Sequence, residues 1–270
     1  MNEQLHLLVE HTIAQGVGAR VFALRWENRR IWVKQAVPAK HKVWHRLQRF
    51  LANITGISLL RPTVSAGGQT GLESEANTLR KLASQGVLVP DIVDIGQNWL
   101  AIGDNGGILQ TRIEDDMFAN NLEAVKDHIS SAGASLAELH HAGMAHGAPL
   151  LRNMTLRDDG KIGFIDFEED PNARMPMIDA QARDILLFVF SIQREFKKRP
   201  EFLRLGWHAY MRAAGADAPQ LVPLRKVFGL LRPVYLILRP FRRWLGTDAI
   251  NGLSAYRILR KTLCEEAIQP

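Results

Sequence analysis

Cys264 is the only cysteine in 270 residues, so an internal disulfide is excluded and a reducing compartment fits the chain. Acids are missing from two long stretches, with none between Glu27 and Glu73 and none between Asp217 and Asp248. Internal repeats and low-complexity segments are absent, which removes repeat architectures. No apolar run reaches the ~20 residues needed to cross a bilayer. The longest candidate, "RKVFGLLRPVYLILRPFRRWLG" (225–246), is interrupted at Arg232-Pro233 and Arg239-Pro240. Nor does "MNEQLHLLVEH" read as a signal peptide, because His6 breaks its apolar run and Glu10 stops it. These absences lead to the expectation of a cytoplasmic protein.

What is present points to a folded chain. Apolar residues make up 46%, enough for one large domain or for two lobes that each bury a core. The charged share of 23% is that of a globular protein rather than a disordered one. Thirty-four Lys and Arg against 28 Asp and Glu leave a net charge of +6, which favours anionic partners such as phosphorylated ligands or anionic lipid. The acids gather around 114–127 and 158–170, so two basic flanks surround a centre suited to holding metal ions.

Periodicity supplies a coarse plan. "RVFALRWENRRIWVKQAV" (20–37) reads as two strands joined by a turn at "ENRR". Segment 40–60 carries Trp44, Leu47, Leu51 and Ile54 at helical spacing among basic residues. "SAGGQTG" (65–71) reads as a flexible break, and "LESEANTLRKLASQG" (72–86) as a helix ended by Gly86. "VLVPDIVDIG" and "WLAIG" read as strands, and "DNGG" (104–107) as a joint between two lobes. A long helix follows from Leu122, its Val125, Ile129, Ala132, Leu136 and Leu139 at alternating steps of three and four, closed by Gly143. "MTLRDDGKIGFIDFEED" predicts a hairpin, "DAQARDILLFVFSIQREF" an apolar helix, and the remainder a mainly helical tail.

Several chemistry-bearing residues then fall into order. Lys34 ends a strand, Glu75 opens a helix, and His146 and Asn153 bracket the loop "HGAPLLRN". Asp166 closes the apolar strand "IGFI", and Asp184 sits inside an otherwise apolar helix, where an unpaired acid would be costly. Each alone is ordinary; the ordered set resembles the protein-kinase-like superfamily. Within that superfamily, "HGAPLLRN", "IDFEED", "ESEANTLRKLASQGVLVP" and "ARDILLF" resemble bacterial kinases of lipopolysaccharide core sugars and Kdo, and their RIO-type relatives.

The resemblance covers about residues 14 to 195 and implies an α+β fold of two lobes. A small strand-rich N-lobe would run over 1–103, and a larger helical C-lobe over 104–270. It implies ATP and Mg²⁺ as cofactors. Lys34 would neutralise the α/β-phosphates and Glu75 would hold Lys34, while Asp166 and Asn153 would ligate Mg²⁺. Backbone amides around Gly16 and Gly18 in "GVGAR" would cover the phosphates. His146 would pack behind the metal-binding turn, Asp184 would brace the loop backbone, and Asp104 would meet the nucleoside.

At one point the resemblance fails. Ala148 stands where such kinases carry their catalytic Asp, and Glu168 replaces the glycine of the metal-binding turn. General-base assistance is typically worth ~10²–10⁴-fold, so its loss allows either a slow phosphotransferase or a nucleotide-binding pseudokinase with a regulatory role. Glu168 or Glu169 is the candidate for orienting an acceptor hydroxyl. The acceptor implied by the resemblance is a hydroxyl of a sugar or lipid-linked glycan. The basic segments 40–61 and 225–246, which mix Arg and Lys with aromatic and aliphatic residues, are expected to contact an anionic membrane surface, placing the protein peripherally on the inner face of the cytoplasmic membrane. The alternative for 225–246 is a helix pair packed on the body. Nucleic acid is a poorer partner, since no recognised binding module accompanies the charge.

Overall fold

Residues 21–35 build the first hairpin, and its register positions everything that follows. The computed structural model describes residues 3–16, 19–38, 67–168 and 175–266. Segment 40–60, Gly18 and Glu169 lie outside them, and so do the expectations placed there. β1 (Val21–Trp26) pairs antiparallel with β2 (Arg29–Gln35). The turn is shorter than expected: only Glu27 and Asn28 form it, both at positive φ (46° and 63°), while Arg29 and Arg30 already belong to β2. Two left-handed residues are the signature of a tight turn whose twist matches the flanking strands.

The sheet order is β1-β2-β4-β3, all antiparallel, with β3 at Ile92–Ile95 and β4 at Trp99–Gly103. Alternation of side chains divides it into two faces. Ile31, Val33, Trp99 and Ala101 pack against Leu5 and Val9 of α1 (Glu3–Ala14). Leu100 and Ile102 face the other way, into the main core. Lys34 shares their parity, so β2 aims its ammonium at the core face rather than at α1. The expected strand over 87–96 is cut to four residues, after Pro90. Upstream of it, the Leu88 carbonyl accepts from the Phe164 N–H (2.9 Å), tying this segment to a different sheet.

Across the core face lies α2 (Gly68–Ser84). The glycine-rich stretch expected to be a break is instead its opening turn. Its buried residues Leu72, Glu75, Ala76, Leu79 and Leu82 recur at steps of three and four, a single inward stripe. Glu75 therefore sits two turns into the helix and belongs to its buried side. It does not open the helix as a solvated first-turn acid. Gly86 (φ 79°) terminates the helix as expected, the Val87 N–H returning to the Leu82 carbonyl (3.1 Å).

A second small antiparallel sheet follows: β5 (Gly107–Ile108), β6 (Met154–Leu156) and β7 (Ile162–Phe164). The helices are α3 (Leu109–Phe118), α4 (Leu122–His141), α5 (Met177–Glu195), α6 (Pro200–Ala214), α7 (Leu221–Leu238) and α8 (Thr247–Glu266). No element was expected over 109–118. One apolar cluster joins Leu79, Leu100 and Ile102 to Ile129, Leu136, Phe188 and Trp207, each full burial of a Leu or Ile contributing ~2 kcal/mol. α4 and α6 cross closely enough that a Cβ on Gly133 would lie 2.5 Å from the Gly206 carbonyl oxygen. Pro233 does not end α7; the chain stays helical to Leu238 and tightens into a 3₁₀ turn over Arg239–Trp244. The fold class is α+β. Among the described residues, no helix is long and apolar enough to cross a membrane.

Candidate functional site

Lys34 is the meeting point. Its Nζ donates to both carboxylate oxygens of Glu75 at 2.8 Å and to Asp166 Oδ1 at 3.0 Å, and lies 3.1 Å from Glu168 Oε1. β2 supplies the lysine, α2 the first acid, and the segment after β7 the other two. Side-chain exposure separates them: Lys34 (7%) and Glu75 (1%) are closed off, whereas Asp166 (44%) opens to solvent. Burial by itself would lower the Lys34 ammonium, but the fields of Glu75, Asp166 and Glu168 outweigh it and raise its pKa. Glu75 is pushed up by burial, against the opposing pull of Lys34. Asp166 moves down: burial opposes this, and the Lys34 charge and hydrogen bond overcome it.

The local backbone at Asp166 explains its aim. The residue has φ 71°, a left-handed conformation rare outside glycine, asparagine and aspartate. That kink breaks strand alternation, so Asp166 faces Lys34 while Phe167, next in sequence, turns into the core at 3% exposure. Phe167 stacks on His146 (ring centroids 4.4 Å apart, planes 22° apart), and Phe164 meets the same imidazole edge-on. His146 has no exposed surface and supports the turn from behind. Burial depresses its pKa, so the ring is neutral, with Nε2 unpartnered.

Asp184 is fully buried on α5 and accepts from the backbone N–H groups of His146 (2.6 Å) and Gly147 (2.9 Å). The acid on the apolar helix thus has the partners its burial demands. Arg183, from the same helix, donates to the Gly147 carbonyl, and Ser191 Oγ accepts from the Leu151 N–H at 3.0 Å. α5 in this way grips the loop 146–153 at three points. At its far end, the Asn153 carbonyl accepts from the Ile165 N–H at 3.0 Å, which couples the loop to the residue preceding Asp166. Asn153 Nδ2 donates to the Ala148 carbonyl (2.9 Å), leaving the amide oxygen as its ligating atom.

The donor set suits a small hard cation. An exposed carboxylate and an amide oxygen on two hydrogen-bonded segments match the one or two protein ligands that Mg²⁺ takes alongside phosphate and water. Among the described residues no group of three or more His, Cys, Asp or Glu could form an all-protein cage. Phosphate oxygens would have to complete the coordination.

Glu168 goes where the sequence did not suggest. Its carboxylate lies between Lys34 and Arg20 and is bonded to both cations. Arg20 was missed. The available signal was its place one residue before β1, whose Val21 pairs with Lys34. Gly16 (φ 85°) follows α1 and has open space where a Cβ would sit; segment 19–20 runs beside β2, with Gln35 Nε2 donating to the Ala19 carbonyl at 2.9 Å. Asp104 is not drawn into the cluster. It lies four residues past the Lys34 partner Leu100, roughly 13 Å along the strand at ~3.3 Å per residue, with Trp32 Nε1 at 3.4 Å and Arg30 at 3.9 Å. A separate cavity of about 540 Å³, lined by Val87, Ser135, Glu138 and Lys161 among others, includes none of these groups. Comparisons with protein-family models and with curated proteins returned no match. The chemistry of the site therefore rests on its geometry.

Proposed function

We propose that the chain is an ATP- and Mg²⁺-dependent phosphotransferase with a two-lobed, protein-kinase-like layout, residues 1–103 closing over residues 104–270. A single observation carries the reading: a buried lysine bonded at 2.8–3.0 Å to a helix acid 41 residues away and to a left-handed, half-buried Asp 132 residues away. A lysine held by one acid and poised beside a second, open one is suited to a triphosphate and its metal. A purely structural ion pair has no need of the exposed member.

The roles follow from position. Lys34, oriented by Glu75, supplies fixed positive charge to phosphate oxygens, and Arg20 adds a second cation at the start of β1. Asp166 and Asn153 would hold Mg²⁺, which when bound neutralises phosphate charge. Such charge stabilisation, with alignment of the reacting groups, is the main protein contribution to phosphoryl transfer. Asp184, His146 and Phe167 fix the loop and the turn. The acceptor class carried by the resemblance is a hydroxyl of an envelope glycolipid or sugar.

A second reading, a nucleotide-binding pseudokinase with a regulatory or scaffolding role in envelope biogenesis, is favoured by Ala148. The methyl group at that position offers no proton acceptor, and Glu168 is engaged elsewhere. One experiment separates the readings. MgATP is titrated by calorimetry and thermal shift into wild type and Asp166→Asn, and γ-labelled ATP is followed for turnover. Both readings expect an MgATP-dependent rise in melting temperature that Asp166→Asn diminishes; only the first expects label transfer or hydrolysis. Wild type indifferent to MgATP would sink both.

A further inference from the structure

α7 packs by one narrow side. Leu224, Val227 and Phe228 are buried, and Leu231 and Tyr235 continue that line against the core. Everything facing outward from 229 to 238 is apolar except Arg232: Leu230 (44% exposed), Val234 (45%), Leu236 (53%) and Ile237 (65%) among them. The 3₁₀ turn extends this surface with Phe241 and Trp244, the latter 67% exposed. Elsewhere on the described surface, large exposed apolar side chains are scattered; here six occur within fifteen residues, 230–244. A patch of that kind, left on a surface, marks a partner site.

The charges around it choose the partner. Arg225, Lys226, Arg232, Arg239 and Arg243 are exposed along the same stretch, and Arg243 lies over the Trp244 ring at 4.6 Å. α8 adds Arg257, Arg260 and Lys261, which with Tyr235 and Tyr256 line a cavity of about 250 Å³ beside α7. No acid occurs between Asp217 and Asp248. A second copy meeting this face about a two-fold axis would set one cationic rim against another, which disfavours self-association.

We propose that α7 and the Arg239–Trp244 turn form a docking face for an anionic phospholipid surface. Leu230, Val234, Ile237, Phe241 and Trp244 enter the interface, and the arginines engage lipid phosphates. Proline and aromatic residues at the end of a short amphipathic helix suit a helix lying in the interface plane rather than crossing it. The attraction comes from many weak ionic contacts backed by apolar burial, so it depends on both lipid charge and salt.

Co-sedimentation of the full chain tests this with vesicles of phosphatidylcholine alone and vesicles containing phosphatidylglycerol, at low and high salt. Wild type is expected to partition onto the anionic vesicles only, with high salt weakening it. Two triple variants, Val234→Gln/Ile237→Gln/Phe241→Gln and Arg232→Glu/Arg239→Glu/Arg243→Glu, are each expected to lose about tenfold or more of that partitioning. These side chains are exposed, so unchanged melting temperatures are expected to show that both variants fold. Three results overturn the proposal. These are wild type remaining in the supernatant, the apolar variant binding as tightly as wild type (bare electrostatic adsorption), and wild type ignoring vesicles while forming a dimer that the apolar variant abolishes.

Discussion

Burying an ammonium costs several kcal/mol unless opposite charge offsets the lost hydration, and Lys34 has three carboxylates to do so. The local sum is two cations, Lys34 and Arg20, against Glu75, Asp166 and Glu168. A site with surplus negative charge resists an anionic nucleotide, and Glu168 is the acid that occupies both cations at once. Replacing it by Gln removes the charge while keeping its size. Glu168→Gln is therefore expected to bind MgATP about fivefold or more tightly than wild type in calorimetry. Unchanged or weaker binding would show that Glu168 assists the ligand instead of competing with it. Lys34→Met is expected to abolish the MgATP-induced rise in melting temperature, since it removes the cation and leaves Glu75 buried without its partner.

Among the elements, α5 and the α4–α6 crossing carry the sharpest expectations. Asp184 satisfies two buried N–H groups in the loop 146–153. Asp184→Ala leaves both without an acceptor and is expected to cost about 2–5 kcal/mol in urea unfolding. Nucleotide binding should weaken as the loop loosens, and Asp184→Asn should recover part of the stability. Gly133 presses against the backbone of Gly206, an obstacle that cannot swing aside. Gly133→Ala, although it improves helix propensity, is expected to destabilise the protein by about 1–3 kcal/mol because α4 and α6 must separate. A gain in stability would mean that the crossing is looser than these distances indicate.

For the molecule as a whole, the buried neutral His146 makes stability depend on pH. Its pKa is depressed in the folded state, so below ~6.5 the unfolded chain takes up a proton that the folded one refuses. The contribution is fully present above that value and is lost as pH falls from there towards the folded pKa. Asp166, also depressed, adds a loss of the same sign in the more acidic carboxylate range. Urea unfolding at about pH 7.5 and about pH 5.5 should show wild type weakening at the lower value. His146→Phe, which retains a ring against Phe167, should weaken less between the two. Equal losses in both proteins would assign the pH dependence to other groups.

Local pattern set much of this architecture by itself. Short apolar runs rich in β-branched and aromatic residues marked β2 and β4, the three-and-four spacing of Val125 to Leu139 marked α4, Gly86 and Gly143 marked helix ends, and "DDG" marked a hairpin, because propensity and periodicity act over neighbours. Lys34, Glu75, Asn153, Asp166 and Asp184 were each ordinary alone and stood out only as an ordered set, through a resemblance rather than through local pattern. Tertiary structure alone decided the rest. Glu75 is buried rather than solvated because α2 starts at Gly68, Glu168 turns to Lys34 and Arg20 because those cations lie within its reach, and Asp104 stays apart because strand geometry holds it roughly 13 Å away. Which charges neutralise one another depends on distances between segments 41 to 148 residues apart, and no local pattern carries that information.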